Sequence, residues 1–369
     1  MFVSLGLRFL CNVEALNMVE SIGNVSKHRK APIVVPTDSG FRLLYVPSIS
    51  GETIGHGYQQ AIVDEALTLY GAAAPVDDWS RRGEFIKFAD MKHMPDNIKQ
   101  LIEDAKASKK EEKLPDKKHE IETAVIRSSI IADIGGFLIA EGVPVKRTSC
   151  FQVGYAVPVF DALEATAIES QFHVRHVPSE SKGEEKEKKQ TETTASQDQN
   201  QEKKSTQKEE RAGQMIYYVE LASAVYGVTF NLNVDGIGRT SMIKVEEVTQ
   251  DRMQRVKVAL AALSRVFTGG SFGAKRSRYL PVEDVLTAVV SVSKVRPFTV
   301  SPPHYASFAE DTLRRRDAML KMLQKFNVSD EIVIYGYSKE RALPDGIEKA
   351  NSFEEVLSKV ADKVLSAKP

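Results

Sequence analysis

Apolar and polar residues alternate from Phe2 to Phe9, with Val3, Leu5, Leu7 and Phe9 on one side and Ser4, Gly6 and Arg8 on the other. That period of two predicts a half-buried strand that opens a sheet. Two further apolar runs, Ile33 to Val35 and Phe41 to Val46, flank Thr37-Asp38-Ser39-Gly40, a hairpin signal in which glycine supplies positive φ. The period then changes. Ile54, Tyr58, Ala61, Ile62, Ala66 and Leu69 recur three and four apart, which predicts a helix from near Ser50 to near Gly71. A second helical run, Glu122 to Ile134, stops at Gly135-Gly136. Strand-like segments follow at Thr148 to Val159, Ala167 to His176 and Met215 to Asn231. The clearest helical stripe, Met253, Val256, Leu260, Leu263 and Phe267, lies within Glu246 to Phe267 and ends at Gly269-Gly270, before a strand at Val285 to Val292. Two closing helices carry Ser-x-x-Glu capping boxes, Ser307 with Glu310 and Ser352 with Glu355.

Reduced to its core, this order is strand, hairpin, helix, strands, helix, strand. It predicts an α+β protein with a ferredoxin-like, RRM-like sheet (β-α-β-β-α-β) elaborated by insertions. Residues 75–118 read as an irregular insertion carrying the only tryptophan, Trp79. Residues 179–212 contain no aromatic, Leu, Ile, Val or Met, so they cannot bury enough apolar surface to offset the entropy of ordering. Because both flanks are strand-like, this tract is expected to be a disordered hairpin tip and not a linker between domains.

Composition narrows the function less than the pattern does. Fifty basic residues balance fifty acidic ones, so a polyanionic partner has to be argued from local clusters. Cys11 and Cys150 stand far apart in no metal-ligand spacing, which favours a reducing compartment and a cytoplasmic location. No apolar stretch is long enough to span a bilayer, and the apolar N-terminus lacks a basic leader and a cleavage site, so no membrane association is expected.

Three basic clusters stand out. The first is Lys27-His28-Arg29-Lys30, in the loop Asn24 to Pro32, with no acid between Ser21 and Thr37. Mobile cations at this density suit a phosphate backbone, although an ordinary solvated loop would look similar. The second is the glycine-rich run Gly269 to Arg278, where Lys275, Arg276 and Arg278 add charge to a chain that a ligand backbone could approach closely. It lacks P-loop spacing and follows a helix C-terminus; for its glycines alone, a helix stop and polar turn is the better explanation. The third, Lys146-Arg147, gains weight only beside the others. In Gln171 to His176, strand alternation puts Gln171, His173 and Arg175 on one face and Phe172 and Val174 on the other, a polar face with an apolar back. A lone strand histidine is more often a structural hydrogen-bonding residue.

The seven histidines show no His-x-x-x-His or His-Glu-x-x-His pattern, and neither a Gly-x-Ser-x-Gly elbow nor a dinucleotide fingerprint is present. No metal, cofactor or catalytic residue is expected. A histidine-based ribonuclease using His28 or His173 as general base stays open as an alternative.

Asn12 to Pro32, Tyr45 to Tyr58 (with Val-Pro-Ser-Ile-Ser-Gly-Glu), Ile131 to Thr148 (with Ala-Asp-Ile-Gly-Gly-Phe and Pro-Val-Lys-Arg-Thr), Gln171 to Arg175 and Gly269 to Leu280 occur in this order. Together they resemble the archaeal type I-A branch of the Cas-seven family of CRISPR proteins, in the RAMP superfamily, historically described as DevR-type autoregulators. The resemblance implies a palm at 1–74, 119–178 and 213–300, a thumb-like hairpin, and a C-terminal helical extension at 301–369. It also implies a Cascade backbone subunit that polymerises along CRISPR RNA, meets target DNA through guide pairing, and contacts other subunits including the Cas-five family. His173 looks like the family's RNA-contacting histidine, with Lys27, His28, Arg29 and Lys275 to Arg278 in the RNA-facing groove. Related subunits that slice RNA use an aspartate in the loop after the first strand. Ser21 to Pro32 has no carboxylate, which argues against slicing.

Overall fold

The computed structural model describes residues 1–107, 113–176 and 214–367. The first alternating run becomes β1 (Phe2–Glu14), followed by β2 (Met18–Ile22), β3 (Val25–His28), β4 (Lys30–Thr37), β5 (Gly40–Pro47) and α1 (Gly51–Tyr70). Helices α2 (Asp96–Ala107), α3 (Leu114–Ser128) and α4 (Ile130–Gly135) lead to short strands β6 (Phe137–Ile139), β7 (Val145–Arg147), β8 (Phe151–Val153) and β9 (Val157–Pro158). Then come β10 (Ala167–His176), β11 (Gln214–Asn233), α5 (Arg252–Thr268), β12 (Val282–Ser293), α6 (Phe308–Lys325), β13 (Ile332–Ser338), β14 (Glu348–Lys349) and α7 (Phe353–Ser366). The class is α+β, with a mixed sheet and helices on both of its faces.

β1 lies between β11 and β12 and runs antiparallel to both, with Leu5 opposite Phe230 and Val290. The sheet order is β14-β13-β12-β1-β11. β8, β9 and β10 pair along β11 over successive stretches, and β3 joins β11 at Tyr218 and Val219, beyond the point where β1 leaves it at Ala222. On one face Val3, Leu5, Leu7 and Phe9 pack with Tyr58 and Ile62 of α1, Ala259 and Leu263 of α5, and Val356 and Val360 of α7. The Tyr58 hydroxyl donates to the Ala259 carbonyl at 2.9 Å and ties α1 to α5 without leaving a buried polar group unpaired.

The opposite face of β1, whose alternation suggests solvent, is covered too. A Cβ at Gly6 would come within 2.9 Å of Val300, and Phe308 of α6 lies beside it. Arg8 is buried, and its guanidinium meets Asp161 and Glu340 at 2.9 Å each. A polar face in the sequence is thus a paired ionic layer beneath α6, since a buried guanidinium persists only when its donors are met.

Several expected elements differ. Residues 75–118, read as irregular, include α2 and the start of α3, because Ile98 and Ile102 pack with Ile121, Val125, Phe137 and Val145 in a second small core. The run Glu122 to Ile134 is two helices, since Ser129 is extended and its side chain caps α4 at Ala132 N. Residues 246–251 precede α5 and do not belong to it. Residues 301–369, expected as a helical extension, hold β13 and β14 as well as α6 and α7, because Ile332 and Ile334 continue the sheet against β12. Ser352 caps α7 as its box predicts, whereas Ser307 makes no side-chain cap and Glu310 keeps a buried unpaired oxygen. The tract 179–212 lies outside the described residues.

Candidate nucleic-acid interface

The cluster Lys27 to Lys30 is not a loop. It spans β3 and the first residue of β4, and strand geometry splits it, because neighbouring residues point to opposite sides. Lys27 and Lys30 are exposed and Arg29 is half-buried, but His28 is fully inside. Its Nε2 lies 2.6 Å from Glu14 Oε1 and its Nδ1 2.8 Å from the Arg29 carbonyl oxygen. An acceptor faces each ring nitrogen, an arrangement that favours the doubly protonated ring. Burial alone would push its pKa down, but the hydrogen bond and charge of Glu14 outweigh that and hold it above the ordinary histidine value. The Tyr226 hydroxyl donates to the same Glu14 oxygen at 2.7 Å, and Leu16 N to the other at 2.6 Å. The sequence places His28 on the exposed basic surface, but its ring is buried and engaged within the fold. It fixes the chain that displays Lys27 and Lys30.

The glycine-rich loop reaches this same end of β1. Ala274 N donates to the Leu16 carbonyl at 2.8 Å, and Gly273, at φ +87°, sits where any Cβ would strike Leu16. Arg276 turns back to Glu283 at 2.9 Å, so part of its charge is spent within the fold. Arg278 is exposed, while Lys275 is half-buried and its pKa is lowered by burial and then by Arg278. Tyr279 closes the loop: its hydroxyl is 2.8 Å from His173 Nε2, and His173 stacks on Tyr217 of β11 with ring centroids 5.2 Å apart. That contact joins β10, β11 and the loop before β12. β3 is bound to the same stretch of β11, where Glu220 accepts from His28 N at 3.0 Å and lies 3.9 Å from the Lys30 ammonium. β3, β10 and the loop that carries Lys275 and Arg278 thus all meet residues 217–220 of β11, with His173 and Tyr279 on the Tyr217 side and Lys30 at Glu220, which alternates to the other side. Arg175 sits in β10, but its side chain lies outside the described residues.

Lys146 and Arg147 do not join them. Arg147 is buried, with Asp133 at 2.7 Å and the carbonyls of Gly236 and Arg239 as further acceptors, so its guanidinium is engaged within the fold. Asp133 also holds Arg255 at 3.1 Å and accepts from Gly238 N; burial raises its pKa, and the two guanidinium groups oppose that rise. Lys146 is exposed on a cleft of about 840 Å³ lined also by Phe2 and Asn233. Phe2 and Cys11 are nine steps apart on β1, so this cleft lies roughly 30 Å from the other clusters.

Sequence reasoning missed Tyr217 and Tyr279. Tyr217 carried a usable signal, since the alternation that exposes His173 pairs it with Tyr217 across the hairpin. Tyr279 comes from a distant loop and had none. Among the described residues no group of His, Cys, Asp and Glu is arranged to hold a metal, and no helix is long and apolar enough to cross a membrane.

Two β-strand arms and a glycine-rich loop that bring exposed cations and aromatic rings to one end of a sheet are the layout of a polyanion-binding module. Sequence comparison supplies the family. The family model described as CRISPR-associated negative auto-regulator DevR/Csa2 matches residues 5–313, and this chain belongs to that family. The CRISPR-associated aCascade subunit Cas7/Csa2 2 of Saccharolobus solfataricus is 36% identical, with 85% of this chain and 86% of that protein covered. CRISPR-associated protein Cas7/Csa2 1 of the same organism is 33% identical, covering 92% and 94%. Among solved structures, a chain of a CRISPR RNA-guided surveillance complex overlaps with a TM-score of 0.47 at 11% identity, covering 99% of this chain and all of that one.

Proposed function

We propose that this protein is a backbone subunit of a Cascade-type CRISPR surveillance complex that grips guide RNA by its sugar–phosphate chain and does not cut it. The reading is supported by the family and by its aCascade relative. The observation that carries it to particular residues is the His173–Tyr279 hydrogen bond, which draws two of the cation-bearing segments together beside β3. A subunit repeated along a guide of arbitrary sequence has to hold phosphate and ribose and leave base edges free to pair with target DNA. Exposed lysine and arginine with stacking rings suit that task.

In the same reading, the antiparallel order β12-β1-β11-β10 with α1 and α5 on one face is the ferredoxin-like plan, with β13 and β14 added at its edge. Copies associate along the guide and adjoin a Cas-five family subunit. His28 is poorly placed as a general base, because its ring is buried between Glu14 and the Arg29 carbonyl.

The test is binding to single-stranded RNAs of unrelated sequence. Equal Kd values across sequences are expected. A strong preference for one sequence, or cleavage of repeat RNA in EDTA that His173→Ala abolishes, would overturn the reading. Tight binding to duplex promoter DNA that survives raised salt would favour the regulator named in the family's description.

A further inference from the structure

On the side of the sheet that carries α5 and α7 lies an open cavity of about 210 Å³. β1, the end of α5, the glycine-rich loop, the start of β12, the end of β13 and the start of α7 all contribute to it. Its floor is apolar and mostly aromatic, with Leu7, Phe9, Phe267, Phe272 and Phe353 all buried. The volume exceeds the roughly 150 Å³ of an apolar cavity that holds benzene, so one ring or one branched aliphatic group is the size of guest it suits.

The mouth has the opposite character. Glu283, Asp284 and Glu354 stand around it, and Lys339 is the one cation among the described residues that line it. Lys339 pairs with Asp284, and Arg276 of the loop pairs with Glu283, so two of the three carboxylates are already matched within the fold. Glu354 is exposed and, among the described residues, has no cation within ion-pair distance. It stands in the first turn of α7, whose N-terminal dipole of roughly +0.5 charge offsets it only in part. Across the cavity α5 ends at Thr268, which adds the negative end of its own dipole.

This polarity selects a guest. An anion would face three carboxylates, and a neutral apolar group would leave Glu354 without a partner. A lysine side chain would enter ammonium first and bury its charge against the phenylalanine floor, away from the carboxylates. The arrangement fits the reverse orientation, tail inside and charge at the rim, as in a pocket with an apolar body and a few placed polar groups.

We propose that this cavity binds a primary ammonium carried on a short apolar tail, with the tail on the phenylalanine floor and the ammonium at the mouth beside Glu354. A free amine has that chemistry, and so does an apolar first residue of a protein chain. The site stands apart from the RNA reading, because none of its lining residues is a proposed RNA contact.

The test titrates the full chain by calorimetry at neutral pH with three probes that share one ring: phenethylamine, phenethyl alcohol and phenylacetate. The amine is expected to bind about fivefold more tightly than the alcohol, the range of an exposed ion pair, and phenylacetate more weakly than either. Glu354→Gln, an exposed substitution, is expected to bring the amine within about twofold of the alcohol and to leave the alcohol unchanged. Val285→Phe, from a half-buried lining residue, should fill the cavity and abolish binding of all three. If that variant does not fold, Glu354→Gln still decides. An amine that binds no better than the alcohol, a preference that survives Glu354→Gln, or undiminished binding to folded Val285→Phe overturns the site. A Phe-Ala-Ala amide that binds with a free N-terminus and not when acetylated assigns the guest to a chain N-terminus. Exclusion of both peptides with phenethylamine still bound assigns it to a free amine.

Discussion

Lys27-His28 and Lys146-Arg147 look alike in sequence, and each ends a strand: β3 at one end of β1 and β7 at the other. In both pairs the lysine faces solvent and its neighbour is buried against a carboxylate, His28 on Glu14 and Arg147 on Asp133. The difference lies around them. Lys27 lies on β3, which pairs with the stretch of β11 that carries Tyr217, the ring stacked on His173, whereas Lys146 faces a cleft that those groups do not reach. Local charge density therefore overcounts surface cations about twofold wherever a basic pair falls in a strand, and only the surroundings separate a ligand track from a solvated lysine.

The largest effect that would sharpen this comparison is expected at the buried partners. Asp133→Ala strands two guanidinium groups, Arg147 and Arg255, and removes the acceptor for Gly238 N, which should cost about 5 kcal/mol in denaturant unfolding. A loss below about 1 kcal/mol would mean that the network is not what joins the α2–α4 unit to α5.

His28→Ala leaves Glu14 buried with only Tyr226 Oη and Leu16 N, and a loss of about 3 kcal/mol is expected at neutral pH. The sign of its pH dependence follows from the raised pKa. The stabilisation is complete below the unfolded value, about 6.5, and is lost as pH rises through the folded one. Wild type should therefore lose stability on the alkaline side relative to a Glu14→Gln variant, and parallel pH profiles for the two would refute the imidazolium.

Tyr279→Phe removes the hydrogen bond that joins the basic loop to β10 and should cost about 1 kcal/mol. Its RNA affinity should fall more than that of Lys146→Ala on a short oligonucleotide; the reverse order would put the track at the other end of β1. Smallest in stability, within about 0.5 kcal/mol, are Lys27→Ala, Lys30→Ala and Arg278→Ala, exposed residues whose loss should appear only in RNA binding.

Much of the sheet was legible because its signals are periodic: Phe2 to Phe9, the Ile54 to Leu69 stripe and the Thr37 to Gly40 turn all correspond to elements of the expected type. The small core of Ile98, Ile102, Ile121 and Val145 was not, because its members come from short segments whose partners are distant in sequence. At the candidate site, residue types were readable and orientations were not. His28 and Arg147 were mistaken for surface cations because their carboxylates, Glu14 and Asp133, lie 14 residues away on other elements. Arg8 illustrates the same limit, since Asp161 and Glu340 converge on it from far along the chain.

The most direct test is the salt dependence of binding to a short single-stranded RNA by wild type, by Lys146→Ala and by the triple variant Lys27→Ala, Lys30→Ala, Arg278→Ala. The slope of log K against log salt is expected to flatten by about 2 for the triple variant, roughly 0.7 per lost phosphate contact, and to stay unchanged for Lys146→Ala. An unchanged slope in the triple variant, or an equal flattening from Lys146→Ala alone, would contradict a track at the Glu14 end of the sheet.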